Sequence, residues 1–254
     1  MLMKNNKNIF LYLILIFFSL IQGLVADEFD ISASNIKLLQ DSETIQAEGN
    51  VLIIGQDGII IESESATYDK KKNVIDAKKY VKITDRKTNN VLTSDKIQYL
   101  VNKEEIVAEG NVFFKDAKTN DELTSDKIQY LKNKEEIVAE GNVFFKGSEG
   151  VTIKTEVATY DKRNQVIKSD RSTKINDGYG NSVLLDMFNY STKNKSLRSK
   201  GYIKMTDKYE NKYFFDDIFI DVKNKRMAGS NLKLKFKKDT FGNIENDPRL
   251  VANS

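Results

Sequence analysis

One acidic residue recurs about every thirty positions, and carboxylates are the side chains of this chain that could carry out acid-base chemistry or bind calcium. Each lies four residues before a recurring tyrosine or isoleucine, and the series is Glu64, Asp95, Asp126, Glu156, Asp186 and Asp216. One acid per repeat gives no carboxylate pair within a repeat, and the glycine-aspartate nonapeptides of calcium-binding repeats are absent. The pattern favours a structural role, in which the carboxylates accept hydrogen bonds from turn amides; a catalytic or calcium-binding row is the alternative.

The composition excludes most other catalytic chemistry. The 254 residues include no histidine, cysteine or tryptophan, which excludes mechanisms based on imidazole or thiol, disulfide frameworks and zinc fingers. Lys and Arg total 40 and Asp and Glu total 37, with the two signs interspersed along the chain, so nucleic acid is a poor candidate for a partner. We therefore expect a protein that is not an enzyme and has no cofactor or metal.

Residues 1–26 have the layout of a secretory signal. Lys4 and Lys7 precede an apolar run over residues 9–20, and Ala26 is a small residue suited to the cleavage site. The alternative is an uncleaved anchor helix, because residues 9–26 just reach the length needed to span a bilayer. In either case the chain after Ala26 is expected to be exported.

A repeat of about 30 residues organises the rest of the chain. Residues 92–115 and 123–146 are identical except at Val101 and Lys132, and weaker copies continue in both directions until seven units fill the chain after Ala26. Within a unit the apolar period is two, which is typical of strands. Because a short repeat buries its apolar face only against its neighbours, we expect an elongated all-β stack of about seven two-strand units.

Glycines lie on the apolar parity of several units, at Gly49, Gly110, Gly141 and Gly201. A glycine inside a strand marks a bend, a bulge or a close approach of two backbones. A sharp corner that folds each strand over is the simplest explanation. Folding a sheet in this way would also create a long apolar groove.

The units repeat the pattern T-S-D-x-I-x-Y, a polar turn and I-V-A-E-G-N-V, at residues 93–112 and 124–143 and more weakly at 184–203. This pattern resembles the OstA-like domain of lipopolysaccharide transport. Members of this family form a periplasmic bridge and the N-terminal part of the outer-membrane assembly protein. The resemblance implies a twisted β-jelly-roll over residues 27–238 with an open, V-shaped groove for the acyl chains of lipopolysaccharide.

The resemblance also implies partners, a location and site residues. The implied partners are lipopolysaccharide, other OstA-like subunits joined by edge-strand pairing, and an outer-membrane barrel or lipoprotein, in the periplasm at the outer membrane. The candidate groove residues are Val51, Tyr99, Ile106, Val112, Phe114, Tyr130, Ile137, Val143, Phe145 and Ile203. The candidate partner contacts on the two edge strands are Ile31, Ile36, Leu232, Leu234 and Phe236.

Residues 239–254 form a tail with the only proline, Pro248, and resemble the linker that leads into the barrel of the assembly protein. The cysteines that couple domain and barrel in that protein are absent here. A second interpretation of the repeat is a structural or carbohydrate-facing β-solenoid with a solid core, including a polysaccharide-acting enzyme on a parallel β-helix. A tightly packed interior with a carboxylate cluster on one outer face would favour it.

Overall fold

The computed structural model describes residues 29–39, 43–147, 150–238, 240, 242 and 249–252. The predicted export signal lies outside the described residues, as does Pro248. Within the described ranges the chain forms one antiparallel sheet of 19 strands, so the predicted all-β class is confirmed. No helix in these ranges has the length and hydrophobicity to cross a membrane.

The strands follow one another with short turns, and two single-turn 3-10 segments, Val101–Lys103 and Lys132–Lys134, follow β6 and β8. The strands are β1 Phe29–Ser32, β2 Asn35–Leu39, β3 Thr44–Gly55, β4 Ile59–Asp69, β5 Val74–Asp85, β6 Val91–Leu100, β7 Glu105–Lys115, β8 Glu122–Leu131, β9 Glu136–Lys146, β10 Thr152–Asp161, β11 Val166–Ser169, β12 Thr173–Asn176, β13 Ser182–Leu185, β14 Phe188–Ser191, β15 Ser196–Thr206, β16 Lys212–Asp221, β17 Arg226–Ser230, β18 Leu232–Lys235 and β19 Arg249–Ala252.

A bulge or a break divides each long strand into two arms. In β7, the register with β8 shifts between Glu109 and Val112, so that Gly110 and Asn111 lie opposite one residue. We call the segments that lead to the Lys/Asn turns arm A (residues 105–109 in β7) and the segments that lead to the loops between units arm B (residues 112–115). Because the shifts recur at equivalent places along the sheet, it folds over along one line and the apolar parity of both arms faces inward.

The units stack in sequence order. β1 and β2 pair with arms B and A of β3, each strand from β4 to β10 pairs with its predecessor, and β17 and β18 pair with the two arms of β16. Between β10 and β15 the two arms are separate strands: β11 and β14 continue arm A, and β12 and β13 continue arm B. The turns stack as well, because the amide of Lys132 donates to the carbonyl of Glu104 and that of Lys162 to the carbonyl of Glu135. The described strands thus form seven two-strand units followed by β19.

Two apolar clusters lie between the arms. The first extends from β1 to β10 and the second from β11 to β18. Between them, at the fold line, the buried hydroxyls of Thr155, Ser169 and Thr173 are hydrogen-bonded to one another. Polar groups at this depth are tolerated because each has a partner.

Two expectations from the sequence are wrong. Every pairing described in the sheet is antiparallel, which excludes the parallel β-helix. The strand that carries Leu232 and Leu234 is not an open edge either, because β19 from the C-terminal tail pairs with it along its whole length. Phe236 lies just beyond that strand. On the first edge, β1 and β2 pair with no described strand except β3, as expected, and Ile31 packs against the core while Ile36 is 53% exposed.

Candidate functional site

The recurring acids hold the bulges that fold the sheet. The Asn111 side-chain amide donates to Asp95 at 2.8 Å, and the Asn142 amide donates to Asp126 at 2.9 Å. Gly110 has a φ of +77°, and a Cβ there would lie 2.5 Å from the Asp95 carboxylate, so any other residue would be strained and would displace that side chain. The predicted structural role of the acids is therefore confirmed at these bulges, with side-chain rather than turn amides as donors.

The serines before Asp95 and Asp126 support the same corner. Ser94 and Ser125 are buried on the inner face, and their hydroxyls donate to the carbonyls of Lys96 and Lys127 at 3.0 Å. These carbonyls belong to the residues that flank the kink. Within the T-S-D part of the motif, the serine thus satisfies a backbone carbonyl at the corner from the inner face, while the aspartate binds the asparagine side chain of the bulge from the outer face.

The ten candidate groove residues all belong to the two inner faces, but their exposure differs. Six are buried, namely Val51, Tyr99, Ile106, Val112, Val143 and Ile203. Four are partly exposed, namely Phe114, Tyr130, Ile137 and Phe145. The valines and Ile203 lie next to the bulges and form a covered floor along the fold line, whereas the partly exposed residues lie further out on the walls.

Behind the first edge, where Leu38 is 60% exposed and Ile45 is partly exposed, the walls lose their burial from the N-terminal to the C-terminal half. At one repeat position on arm A, Ile75 is fully covered, Ile137 and Leu197 are partly exposed, and Met227 is 49% exposed. The tyrosine position behaves in the same way: Tyr68 and Tyr99 are buried, whereas Tyr130, Tyr160 and Tyr190 are partly exposed. Arm B repeats the trend, with Ile53 and Ile83 buried and Phe114, Phe145, Ile175 and Met205 partly exposed. We call the stretch from β8 to β16 the open half of the groove.

Contacts across the arms close the other half. The Phe29 ring, on the arm B side, packs edge-on against Tyr68 and Tyr99 of arm A, with centroids 5.4 and 6.2 Å apart. Asp57, in the loop after β3, reaches Lys132 Nζ at 2.6 Å and accepts a hydrogen bond from the Tyr99 hydroxyl at 3.2 Å. We call Asp57, Tyr99 and Lys132 the latch.

The pKa values of the latch keep it formed at neutral pH. Burial by itself raises the pKa of Asp57, but hydrogen bonds from Lys132, the Ile59 amide and Tyr99 together outweigh it and hold that pKa below its ordinary value. For Lys132, burial acts to lower the pKa, and its bonds to Asp57 and Tyr99 raise it above its ordinary value. Burial and the charge of Asp57 raise the pKa of Tyr99.

A cleft of about 480 Å³ lies at the bulge between β9 and β10. Its lining includes Asn142, Lys154 and Glu156 beside Val143 and Phe144, so it is too polar for an acyl chain. Within the described ranges no three acidic side chains come together as metal ligands.

Sequence reasoning found the inner faces but missed the latch. Asp57 lies in a short polar loop that carries only a turn signal, and Lys132 lies in a Lys/Asn turn. The one available signal was Lys132 itself, since it replaces Val101 in an otherwise identical copy. The roles of Ser94 and Asn111 at the bulge could have been predicted, because Ser94 directly precedes Asp95 and Asn111 directly follows Gly110.

No protein-family model matches the chain, and no curated protein matches it. Among solved structures it is similar to LptH from Pseudomonas aeruginosa, described as the LptA-homologous periplasmic component of the conserved lipopolysaccharide transport device. The identity is 14%, the TM-score is 0.25, and the match covers 57% of this chain and 82% of that one.

Proposed function

We propose that this protein is an exported lipopolysaccharide-binding transport domain that shields acyl chains between the arms of its folded sheet. The observation that carries the proposal is the loss of burial along the walls from β8 to β16, above a floor that stays covered. Each CH₂ group moved from water into such a groove contributes about 0.8 kcal/mol. The resemblance of the repeated motif to the OstA-like domain supports lipopolysaccharide as the amphiphile.

The test compares inward and outward neighbours on one strand. A photo-crosslinking amino acid replaces Met205 or Phe145 on the inner walls, with Arg198 and Val138, on the outer face of arm A of the same strands, as matched controls. Purified lipopolysaccharide should crosslink from the inward positions and not from the outward ones. Equal crosslinking from both faces would show that the inner face is not the site.

Position 53 adds an internal control, because Ile53 is fully covered in the closed half. Crosslinking there should be much weaker than at Met205. The filled core of that half also suits the alternative, a structural or carbohydrate-facing solenoid without a lipid cavity. An absence of crosslinks at every inward position would favour that alternative.

The proposal includes partner binding at the first edge, where β1 and β2 offer unpaired backbone groups for a neighbouring transport subunit at the outer membrane. The Ser34 amide donates a hydrogen bond to the Gly49 carbonyl of β3. Because successive amides of a strand point alternately toward and away from its partner, the Ile36 amide faces β3 and the Lys37 amide faces away from it. Lys37→Pro should therefore abolish subunit capture without unfolding the sheet. Unchanged capture by an OstA-like bridge protein in a pull-down would contradict edge pairing.

A further inference from the structure

The outward face of arm B carries a row of lysines in its C-terminal half. Cross-strand pairing places Lys154 directly opposite Lys174 and continues the row through Leu184, Lys204, Phe214 and Lys233. With neighbouring strands about 4.8 Å apart, the row is about 25 Å long. We call it the lysine row.

Like charges oppose each other in this region without an acid to neutralise them, although Lys154 Nζ lies 5.4 Å from the Phe144 ring centroid and Lys235 Nζ lies 5.9 Å from the Phe214 centroid. Besides Lys154 and Lys174, Lys212 lies directly opposite Lys235 in the adjacent row. Like charges directly opposed on antiparallel strands destabilise a sheet. Neither row contains an acid between β10 and β18, and none of the six lysines forms an ion pair with another described residue.

The same face is balanced in the N-terminal half. There Lys82 pairs with Glu62 at 2.8 Å and Lys115 pairs with Glu122 at 3.7 Å. The positive charge that has no ion pair therefore lies on the strands from β10 to β18, which include most of the open half. No ion pair with a described residue neutralises this charge, which points to an anion outside the molecule.

Apolar side chains are exposed among these lysines. Leu184 is 36% exposed within the row, and Tyr202 is 49% exposed and packs against the Phe214 ring at 6.4 Å. An exposed leucine between lysines gains nothing against the phosphates of a nucleic acid, but it is stabilised at the boundary between lipid headgroups and acyl chains. We propose that the outward face of arm B between β10 and β18 docks on an anionic membrane surface.

The test uses single labels, since the chain has no cysteine. Leu184→Cys on the lysine row and Ser196→Cys on the outward face of arm A each receive a polarity-sensitive fluorophore. The probes are vesicles of phosphatidylcholine, alone or mixed with phosphatidylglycerol. We expect a blue shift at position 184 with the anionic vesicles, no shift at position 196, and release as salt rises from about 0.01 M to about 1 M. Every variant keeps residues 1–28, so the apolar N-terminal run contributes equally to vesicle binding in all of them.

Charge variants identify the lysines as the cause. Replacing Lys174 and Lys204 by Gln should weaken partitioning about fivefold for each lysine, whereas Lys168→Gln with Arg198→Gln on arm A should leave it unchanged. If thermal melting shows that the double variant is unfolded, Lys233→Gln alone gives the same readout. Equal shifts with neutral vesicles, a shift at position 196, or a preference for an acidic peptide or a DNA duplex over vesicles would overturn the proposal.

Discussion

Lys132 and Asp57 lie 75 residues apart in the chain, and their side chains meet at 2.6 Å across the two arms of the folded sheet. Lys132 occupies the place that Val101 holds in the preceding copy of the duplicated unit. Val101 is buried in the core, whereas Lys132 reaches the opposite arm. The one difference between the two copies thus lies where the closed half of the groove gives way to the open half.

Replacing Lys132 by Val should open this end of the groove. The variant leaves the partly buried carboxylate of Asp57 without its cation, and a charge-assisted hydrogen bond at a site that is partly open to water contributes about 1 kcal/mol. We expect faster hydrogen exchange at residues 55–59 and a slightly lower unfolding midpoint. Lys134→Val, in the same turn, is the control, and equal exchange in both variants would show that the latch does not hold the arms.

Stability should be nearly constant between about pH 6 and 8, because the chain has no histidine to titrate there. It should fall below about pH 4. Burial raises the pKa of four aspartates, but the hydrogen bonds that each carboxylate accepts outweigh burial and lower the pKa overall. The four are Asp57, Asp116, Asp177 and Asp207. A carboxylate with a lowered folded-state pKa stabilises the protein above its ordinary pKa of 3.8, and the contribution is lost as pH falls through the folded value.

Urea unfolding at a series of pH values measures this dependence. In Asp57→Asn the loss of unfolding free energy between about pH 5 and about pH 3 should be smaller than in the wild type, because one of the contributing carboxylates is gone. A stability that rises on acidification would contradict the assignment of these carboxylates as hydrogen-bond acceptors in the folded state.

Lys79 and Tyr80 occupy the bulge position that Gly110 and Asn111 hold in a later unit, and both have positive φ, at 64° and 55°. The left-handed conformation costs an ordinary residue about 1–2 kcal/mol. Replacing the pair by Gly and Asn should therefore raise the free energy of unfolding by about 1 kcal/mol or more, as chemical denaturation can measure. Lys78→Gly, in extended backbone, is the control and should lower it.

Deleting residues 92–122 should leave a folded, shorter stack. The deletion removes one period, so that Tyr130 and Lys162 come to the places of Tyr99 and Lys132 opposite Asp57 and can rebuild the latch. Circular dichroism should show a cooperative β-sheet transition with a smaller dependence on denaturant, since less surface is buried. Deletion of residues 101–115, which removes β7 with the turn before it and leaves β6 and β8 running in the same direction, is the control and should unfold. Equal behaviour of the two deletions would contradict the repeat organisation.

The sequence by itself determined the repeat length, the alternation of inward and outward residues and the place of the bulges. These features are local, because the period of two fixes which face a side chain takes and glycine marks where the backbone must turn. Ile106, Val112 and Phe114 could therefore be assigned to the inner face before any contact was known.

Only the tertiary structure decided which part of that inner face is open. Closure depends on Phe29 and Asp57 meeting Tyr99 across the arms, and nothing in the local sequence of these residues specifies that distance. The bulge at Lys79 is likewise imposed by its neighbours, since the register of β4 and β6 overrides the local preference of a lysine. Pairing between separate segments also decided that β19 covers β18 and that Lys154 lies opposite Lys174. Register is a property of two strands, so neither strand specifies it alone.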